Sequence, residues 1–201
     1  MGAPFNDDNG MDAGQVRVFR WNGVVWSQLG VAINGESDFD WFGGAVSISA
    51  DGNVIAVGAE GGENDDGTTV GHVRIFFWDG AEWNQIGVID GETPFERFGG
   101  AVSISAAGDT VVAGARFNDD IGERAGKARV FRLTGFVWTQ LGADLAGEAA
   151  DDRFGTAVSI SAAGDTVVVG ARGNDGNGVD AGHARVYRCL LYTSPSPRDR
   201  G

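Results

Sequence analysis

Phe42-Gly43-Gly44-Ala45-Val46-Ser47-Ile48-Ser49 occurs more than once in the chain. It returns 56 residues later as Phe98-Gly99-Gly100-Ala101-Val102-Ser103-Ile104-Ser105, and 56 residues after that as Phe154-Gly155-Thr156-Ala157-Val158-Ser159-Ile160-Ser161. A Gly-Ala pair keeps the same period at Gly2-Ala3, Gly58-Ala59, Gly114-Ala115 and Gly170-Ala171. An arginine between apolar neighbours follows at Arg17, Arg74, Arg129 and Arg185, with one residue inserted in the loop of the second repeat. Self-similarity at a fixed period of this size marks a repeat architecture.

One period carries four strand signals. Ala45 to Ser49 alternates small or polar residues with Val46 and Ile48, the period of a strand. Asp51-Gly52 reads as a hairpin turn, since both residues tolerate positive φ. Val54 to Val57 is a continuous apolar run, suited to a strand covered on both faces. A polar loop, Gly61 to Gly71, leads to a third strand over Val73–Trp78. Asp79-Gly80 then turns the chain into a fourth strand over Trp83–Val88, where polar residues return. Four antiparallel strands per repeat, without helical periodicity, predict the blade of a β-propeller. A β-solenoid is the rival, but its repeats are usually much shorter.

The chain then holds the end of one repeat (Met1–Asn34), two whole repeats (Gly35–Asp90 and Gly91–Ala146) and most of another (Gly147–Arg188), about 3.4 blades. Propellers close with about 4–8 blades, so residues 1–188 are expected to form a partial, open array with exposed strand edges. Cys189 to Asp199, CLLYTSPSPRD, resembles a translated transposase-type sequencing adapter, and residues 189–201 are therefore set apart from the fold. The single cysteine, Cys189, lies in that tail.

Composition narrows the functional classes. Gly is 34 of 201 residues, yet 6 Trp and 12 Phe accompany it, so the glycines mark turns in an ordered fold. The net charge of −13 argues against a nucleic-acid partner or an anionic membrane surface. No apolar run is long enough to span a bilayer as a helix. No secretory leader pattern and no Asn-x-Ser/Thr sequon is present.

Phe-Gly, a strand, a hairpin and then Val-Gly-Ala resemble the FG-GAP repeat of integrin α-chain propellers and their relatives. Met1-Gly2-Ala3-Pro4 comes close to the literal motif, while Glu60, Arg116 and Arg172 replace the proline in later repeats. The Trp-x-Gly-x-x-Trp-x-Gln-x-Gly pair at Trp21–Gly30, Trp78–Gly87 and, with its first Trp lost, Leu133–Gly142 looks like a variant class of that repeat. The resemblance implies a propeller that binds a protein or carbohydrate ligand, as in adhesion, and an extracellular or cell-surface setting. The family's calcium loop between first and second strands is absent. Ala50-Asp51-Gly52-Asn53 and its counterparts at 106–109 and 162–165 offer too few oxygens for that ion.

Acidic residues cluster instead after the Gly-Ala pair. Asp7, Asp8 and Asp12, then Asp65 and Asp66, Asp119 and Asp120, and Asp175 and Asp180 are candidate ligands of a weak calcium site. The same Asn, Asp and Gly also suit turns, and no loop matches an EF-hand. Asp40, Glu96 and Asp152 recur two residues before each Phe-Gly and are expected to clamp the strand arginines. His72 and His183 stand where other repeats have Gln15 and Lys127, and read as exposed strand-entry residues. No nucleophile–base arrangement is found, so the expectation is a binding module and not an enzyme. Part of a glycan-acting propeller enzyme and a purely structural array are the alternatives.

Overall fold

A computed structural model describes residues 1–189. The expected tail, Cys189 excepted, lies outside the described residues. The fold is all-β. Its strands are β1 (Gly2–Ala3), β2 (Gln15–Val16), β3 (Phe19–Trp21), β4 (Trp26–Gln28), β5 (Ile33–Asn34), β6 (Ala45–Ile48), β7 (Val54–Ala59), β8 (His72–Trp78) and β9 (Trp83–Asp90). They continue as β10 (Phe98–Ile104), β11 (Thr110–Ala115), β12 (Lys127–Thr134), β13 (Val137–Gln140), β14 (Leu145–Ala146), β15 (Phe154–Ile160), β16 (Thr166–Ala171) and β17 (His183–Arg188).

These strands group by repeat, and every named pair is antiparallel. Blade two is the four-stranded sheet β6-β7-β8-β9. Blade three is β10-β11-β12-β13, with β14 continuing the fourth strand beside β12. Blade four presents β15-β16-β17. Blade one supplies β1-β2-β5 and the hairpin β3-β4. The fourth strand breaks in blades one and three at Gly30 and Gly142, whose φ of 74° and 81° leaves the extended region. In blade two a register shift between Ile75 and Phe76 carries the strand through.

The repeated motifs meet one another across blade boundaries. A Cβ on Gly58 would lie 1.9 Å from the carbonyl oxygen of Gly99, and one on Gly114 would lie 2.0 Å from that of Gly155. The Gly of Gly-Ala in one blade thus abuts the Gly of Phe-Gly in the next, backbone against backbone. Farther out, Trp83 donates its indole N–H to the Leu29 carbonyl at 2.9 Å, and a Cβ on Gly87 would lie 2.4 Å from the Trp138 ring. So the fourth-strand Trp of one blade sits on the fourth-strand Gly of the blade before.

Both serines of the repeat also have tasks. Ser47 and Ser103 accept from the Ile104 and Ile160 amides of the following blade at 3.1 and 3.2 Å. Ser49, Ser105 and Ser161 bond Asp51, Asp109 and Asp165 and close the first hairpin. The hairpin turns themselves join in series, Ala50 N–H to Ala106 and Ala106 N–H to Ala162, at 3.0 and 3.1 Å. Three cores lie around these boundaries. They centre on Phe42, Phe98 and Phe154, all fully buried.

Candidate functional site

The loop between second and third strands and the crossover from fourth strand to next blade leave from the same strand ends, so both lie on one face. Their main chains run side by side. Phe39 N–H bonds Met11 O, Phe95 N–H bonds Thr69 O, and Asp151 N–H bonds Glu123 O, each at 2.7 Å. Just before each Phe-Gly, two non-glycine residues adopt left-handed backbone: Phe39 and Trp41, Phe95 and Arg97, Asp151 and Arg153, with φ of 54–63°. Bulky side chains there cost about 1 kcal/mol each, a strain the parallel loop holds in place.

The acids before Phe-Gly chiefly serve the crossover, and among them only Glu96 lies within salt-bridge distance of a strand arginine, 3.8 Å from Arg129. Asp40 Oδ2 accepts from the Glu36 and Ser37 amides at 2.8 and 2.9 Å, and Asp152 Oδ2 accepts from Glu148 and Ala149 at 3.0 Å each. Glu96 accepts from the Glu92 amide, and the loop residue Asn118 donates to it at 2.7 Å. These buried carboxylates fold the crossover, because amide donors there have no ladder partner.

Arg74, Arg129 and Arg185 lie closest to the first acid of each crossover, whereas Arg17 bonds Gln15. Arg74 meets Glu36 at 3.0 Å, Arg129 meets Glu92 at 2.9 Å, and Arg185 meets Glu148. Arg74 is also held between the Phe42 and Phe76 rings, 4.9 and 5.0 Å from their centroids. Arg129 lies between Phe98 and Phe131 in the same way. Gly-Glu at 35–36, 91–92 and 147–148 carries the same period and was the signal for these partners.

The residue that opens the third strand is buried, contrary to the expectation for His72. Gln15, His72 and Lys127 are all at or below 4 % exposure. Gln15 donates to Asp8 and Asn34. Lys127 lies within 3.6 Å of four carboxylates, those of Glu92, Asp120, Asp144 and Glu96. Burial pulls the Lys127 ammonium pKa down, but the bonds to Glu92 and Asp120 and the charge of Glu96 outweigh it, and the net shift is upward. His72 lacks such compensation. Burial lowers its pKa most, Arg74 adds to that, and Asp40, Asp90 and Glu36 oppose it. Its Nε2 is buried without a hydrogen-bond partner. His183 is half-buried.

The loop aspartates do not converge. Asp7, Asp119 and Asp175 each accept one amide, from Asp12, Arg124 and Asp180, at 2.7 Å. Asp8 and Asp120 hold Gln15 and Lys127, and Asp65 and Asp66 are exposed. Asp12 and Asp180 take positive φ at loop corners. Among the described residues, no group of three or more His, Cys, Asp or Glu side chains is placed to hold a metal ion.

What converges on this face is aromatic and cationic. Trp41, Glu60, Arg97, Arg116, Phe5 and Phe117 line a cleft of about 410 Å³. Arg97 stacks on Trp41 at 4.5 Å, and Arg116 lies over Phe117 at 4.8 Å while pairing with Glu60. The Trp41 indole N–H is buried and has no acceptor. A second cleft of about 440 Å³, lined by Phe95, Asp119 and Arg124, shares Arg97 and Phe117 with the first. Glu60 and Arg116 stand out in the sequence only as replacements of the motif proline, and Trp41, Arg97, Phe5 and Phe117 give no signal there, because these positions vary between repeats where the frame residues recur.

A sequence model of the FG-GAP repeat matches residues 90–131 and 145–187. No curated protein matches the chain.

Proposed function

We propose, for a chain that carries FG-GAP repeats and folds into propeller-type blades, that it is a binding module whose ligand docks on the crossover face. Protein or carbohydrate bearing a carboxylate suits the cleft chemistry. The carrying observation is the unpaired, buried Trp41 N–H beside a stacked Arg97, in a cleft whose backbone is held in left-handed conformation. Buried polar groups normally find partners, and backbone strain gathers at functional sites. Aromatic faces cover a sugar or apolar frame, and arginine offers a fork to a carboxylate. A binding role is favoured over catalysis by the two histidines. They stand at a position that Gln15 and Lys127 fill in other blades, so neither belongs to a dedicated acid–base pair. The expected result on arrays of acidic oligosaccharides and acidic peptides is saturable binding that Trp41→Ala and Arg97→Ala abolish. Binding that both variants leave intact would place the ligand elsewhere.

A further inference from the structure

Arg97 stands between two clefts. It lines the one of about 410 Å³ together with Trp41 and the one of about 440 Å³ together with Phe95, and Phe117 is common to both. The clefts therefore adjoin across a shared wall, and each has the size that takes a small organic ligand. The cations around them are not equivalent. Arg116 pairs with Glu60, and Arg124 lies 3.4 Å from Glu123 and 3.7 Å from Asp151. Of these three, Arg97 alone has a side chain with no ion pair and no hydrogen bond among the described residues, and its guanidinium rests on the Trp41 ring at 4.5 Å. An open guanidinium fork takes a carboxylate with two parallel bonds.

The rest of the lining is of mixed polarity. Trp41 brings an unmet donor to the first cleft, and Asp119 and Glu123 bring acceptors to the second. A hydroxyl donates and accepts, so it serves either side. A carboxylate beside Asp119 and Glu123 would be repelled, and the net charge of −13 disfavours a ligand that is acidic at every unit. Phe95, 66 % exposed, offers a free ring face to a sugar. A peptide is served less well. Around the second cleft the amides of Phe95, Phe117, Asn118 and Arg124 already bond Thr69 O, Glu96 O, Ala115 O and the Asp119 carboxylate. No strand edge is left there for a peptide main chain to pair with.

We infer that the ligand is a linear oligosaccharide in which a uronic acid alternates with a neutral sugar, laid across both clefts with one uronate carboxylate on Arg97. The inference rests on the crossover-face reading and adds to it the class and length of the ligand. One ring lies in the Trp41 cleft. The chain crosses the wall of Arg97 and Phe117, and the next neutral ring lies against Phe95 with its hydroxyls toward Asp119 and Glu123. The path closes one blade farther on, where Asp151 stands in place of Phe95 and lies 3.7 Å from Arg124 and 3.8 Å from Arg153.

The probes are unsulfated tetrasaccharides of glucuronate alternating with N-acetylglucosamine, from hyaluronan and from heparosan, which differ in linkage. They and their disaccharides are titrated calorimetrically into the full chain. Tetragalacturonate, acidic at every unit, and chitotetraose, acidic at none, are the controls. The expected result is saturable binding of at least one alternating tetrasaccharide, about tenfold tighter than its disaccharide and than either control. Arg97→Gln is expected to weaken that binding, and Phe95→Ala to remove the advantage of tetrasaccharide over disaccharide. Phe95 is exposed and its repeat position also accepts Asp151, so thermal melts are expected to show Phe95→Ala folded. A disaccharide or a control that binds as tightly as the tetrasaccharide would overturn the inference. So would failure of both tetrasaccharides at millimolar concentration. In that event an acidic peptide that binds through Trp41 would leave the crossover-face reading standing, whereas the lack of any Trp41-dependent ligand among these sugars and peptides would remove both.

Discussion

Arg116 pairs with Glu60, the residue at its own repeat position in the preceding blade, with Nη2 3.0 Å from Oε1 and Nη1 on Oε2. The two stand where the first repeat has Pro4, so one position supplies both halves of a two-pronged ion pair across a blade boundary. Both side chains are about four-fifths buried, which limits screening by solvent. A double-mutant cycle of Glu60→Ala and Arg116→Ala is expected to give a coupling of about 1 kcal/mol in chemical denaturation. The exchanged pair, Glu60→Arg with Arg116→Glu, is expected to recover most of the stability that either reversal loses. Independent, additive losses would mean that the two do not interact.

Gly114→Ala and Gly170→Ala make the same change at equivalent positions, with different expected outcomes. At Gly114 the new Cβ would lie 2.0 Å from the Gly155 carbonyl oxygen, so the blades must part. A loss of about 3 kcal/mol or more is expected. At Gly170 the nearest atom is 3.7 Å away, and the change is expected to stay within about 0.5 kcal/mol. Thermal melts of the two variants side by side make the comparison, and similar melting temperatures would contradict the glycine–glycine seam.

Lys127→Met removes the only cation within salt-bridge distance of Asp120 and Asp144 among the described residues, and leaves the fully buried Glu96 with Arg129 alone, at 3.8 Å. The expected loss is about 3–5 kcal/mol at neutral pH, the scale for an uncompensated buried charge. Adding Glu96→Gln is expected to recover part of it, because the buried side chain then carries no charge. A loss that the second change leaves untouched would assign Lys127 a packing role only.

His72 gives a pH dependence of defined sign. Its folded pKa lies below the ordinary 6.5, chiefly through burial, so below 6.5 the unfolded chain takes up a proton that the folded chain resists. Its contribution to stability is complete above that value and falls as the pH drops below it, by at most about 1.4 kcal/mol per pH unit. Asp90, raised by burial, acts in the opposite sense over a window that opens at its ordinary 3.8. Melting temperatures between pH 7 and 5 are therefore expected to decline, and His72→Gln is expected to flatten that decline. Gln is suited to the site because Gln15 fills it in blade one. An unchanged slope in the variant would exclude His72 as the source.

The strands were legible because their signals are local. Alternation in Ala45–Ser49 and the apolar run in Val54–Val57 place β6 and β7 within two residues of their observed ends. What escaped the sequence is whatever joins one period to the next. Nothing in Gly58 names Gly99 as its neighbour, and nothing in Trp83 points to Leu29. The acids that act on His72 likewise come from elsewhere in the chain, the crossover and β9. The aspartates show the reverse case. Their spacing suggests a shared ligand, whereas Asp7, Asp119 and Asp175 accept neighbouring amides and Asp8 and Asp120 hold the side chains that open the third strand. Trp41 and Arg97 share one repeat position but differ in chemistry, so periodicity carries no information about them.

The seam between blades has one more consequence. Where Gly58 meets Gly99 and Gly114 meets Gly155, only main-chain atoms touch, so the joint is blind to the side chains on either side. A joint of that kind does not distinguish one unit from the next. Duplicating or excising a 56-residue stretch in the gene would recreate the same joint at the splice. Copy number could then drift by unequal recombination while the exposed loops diverge independently.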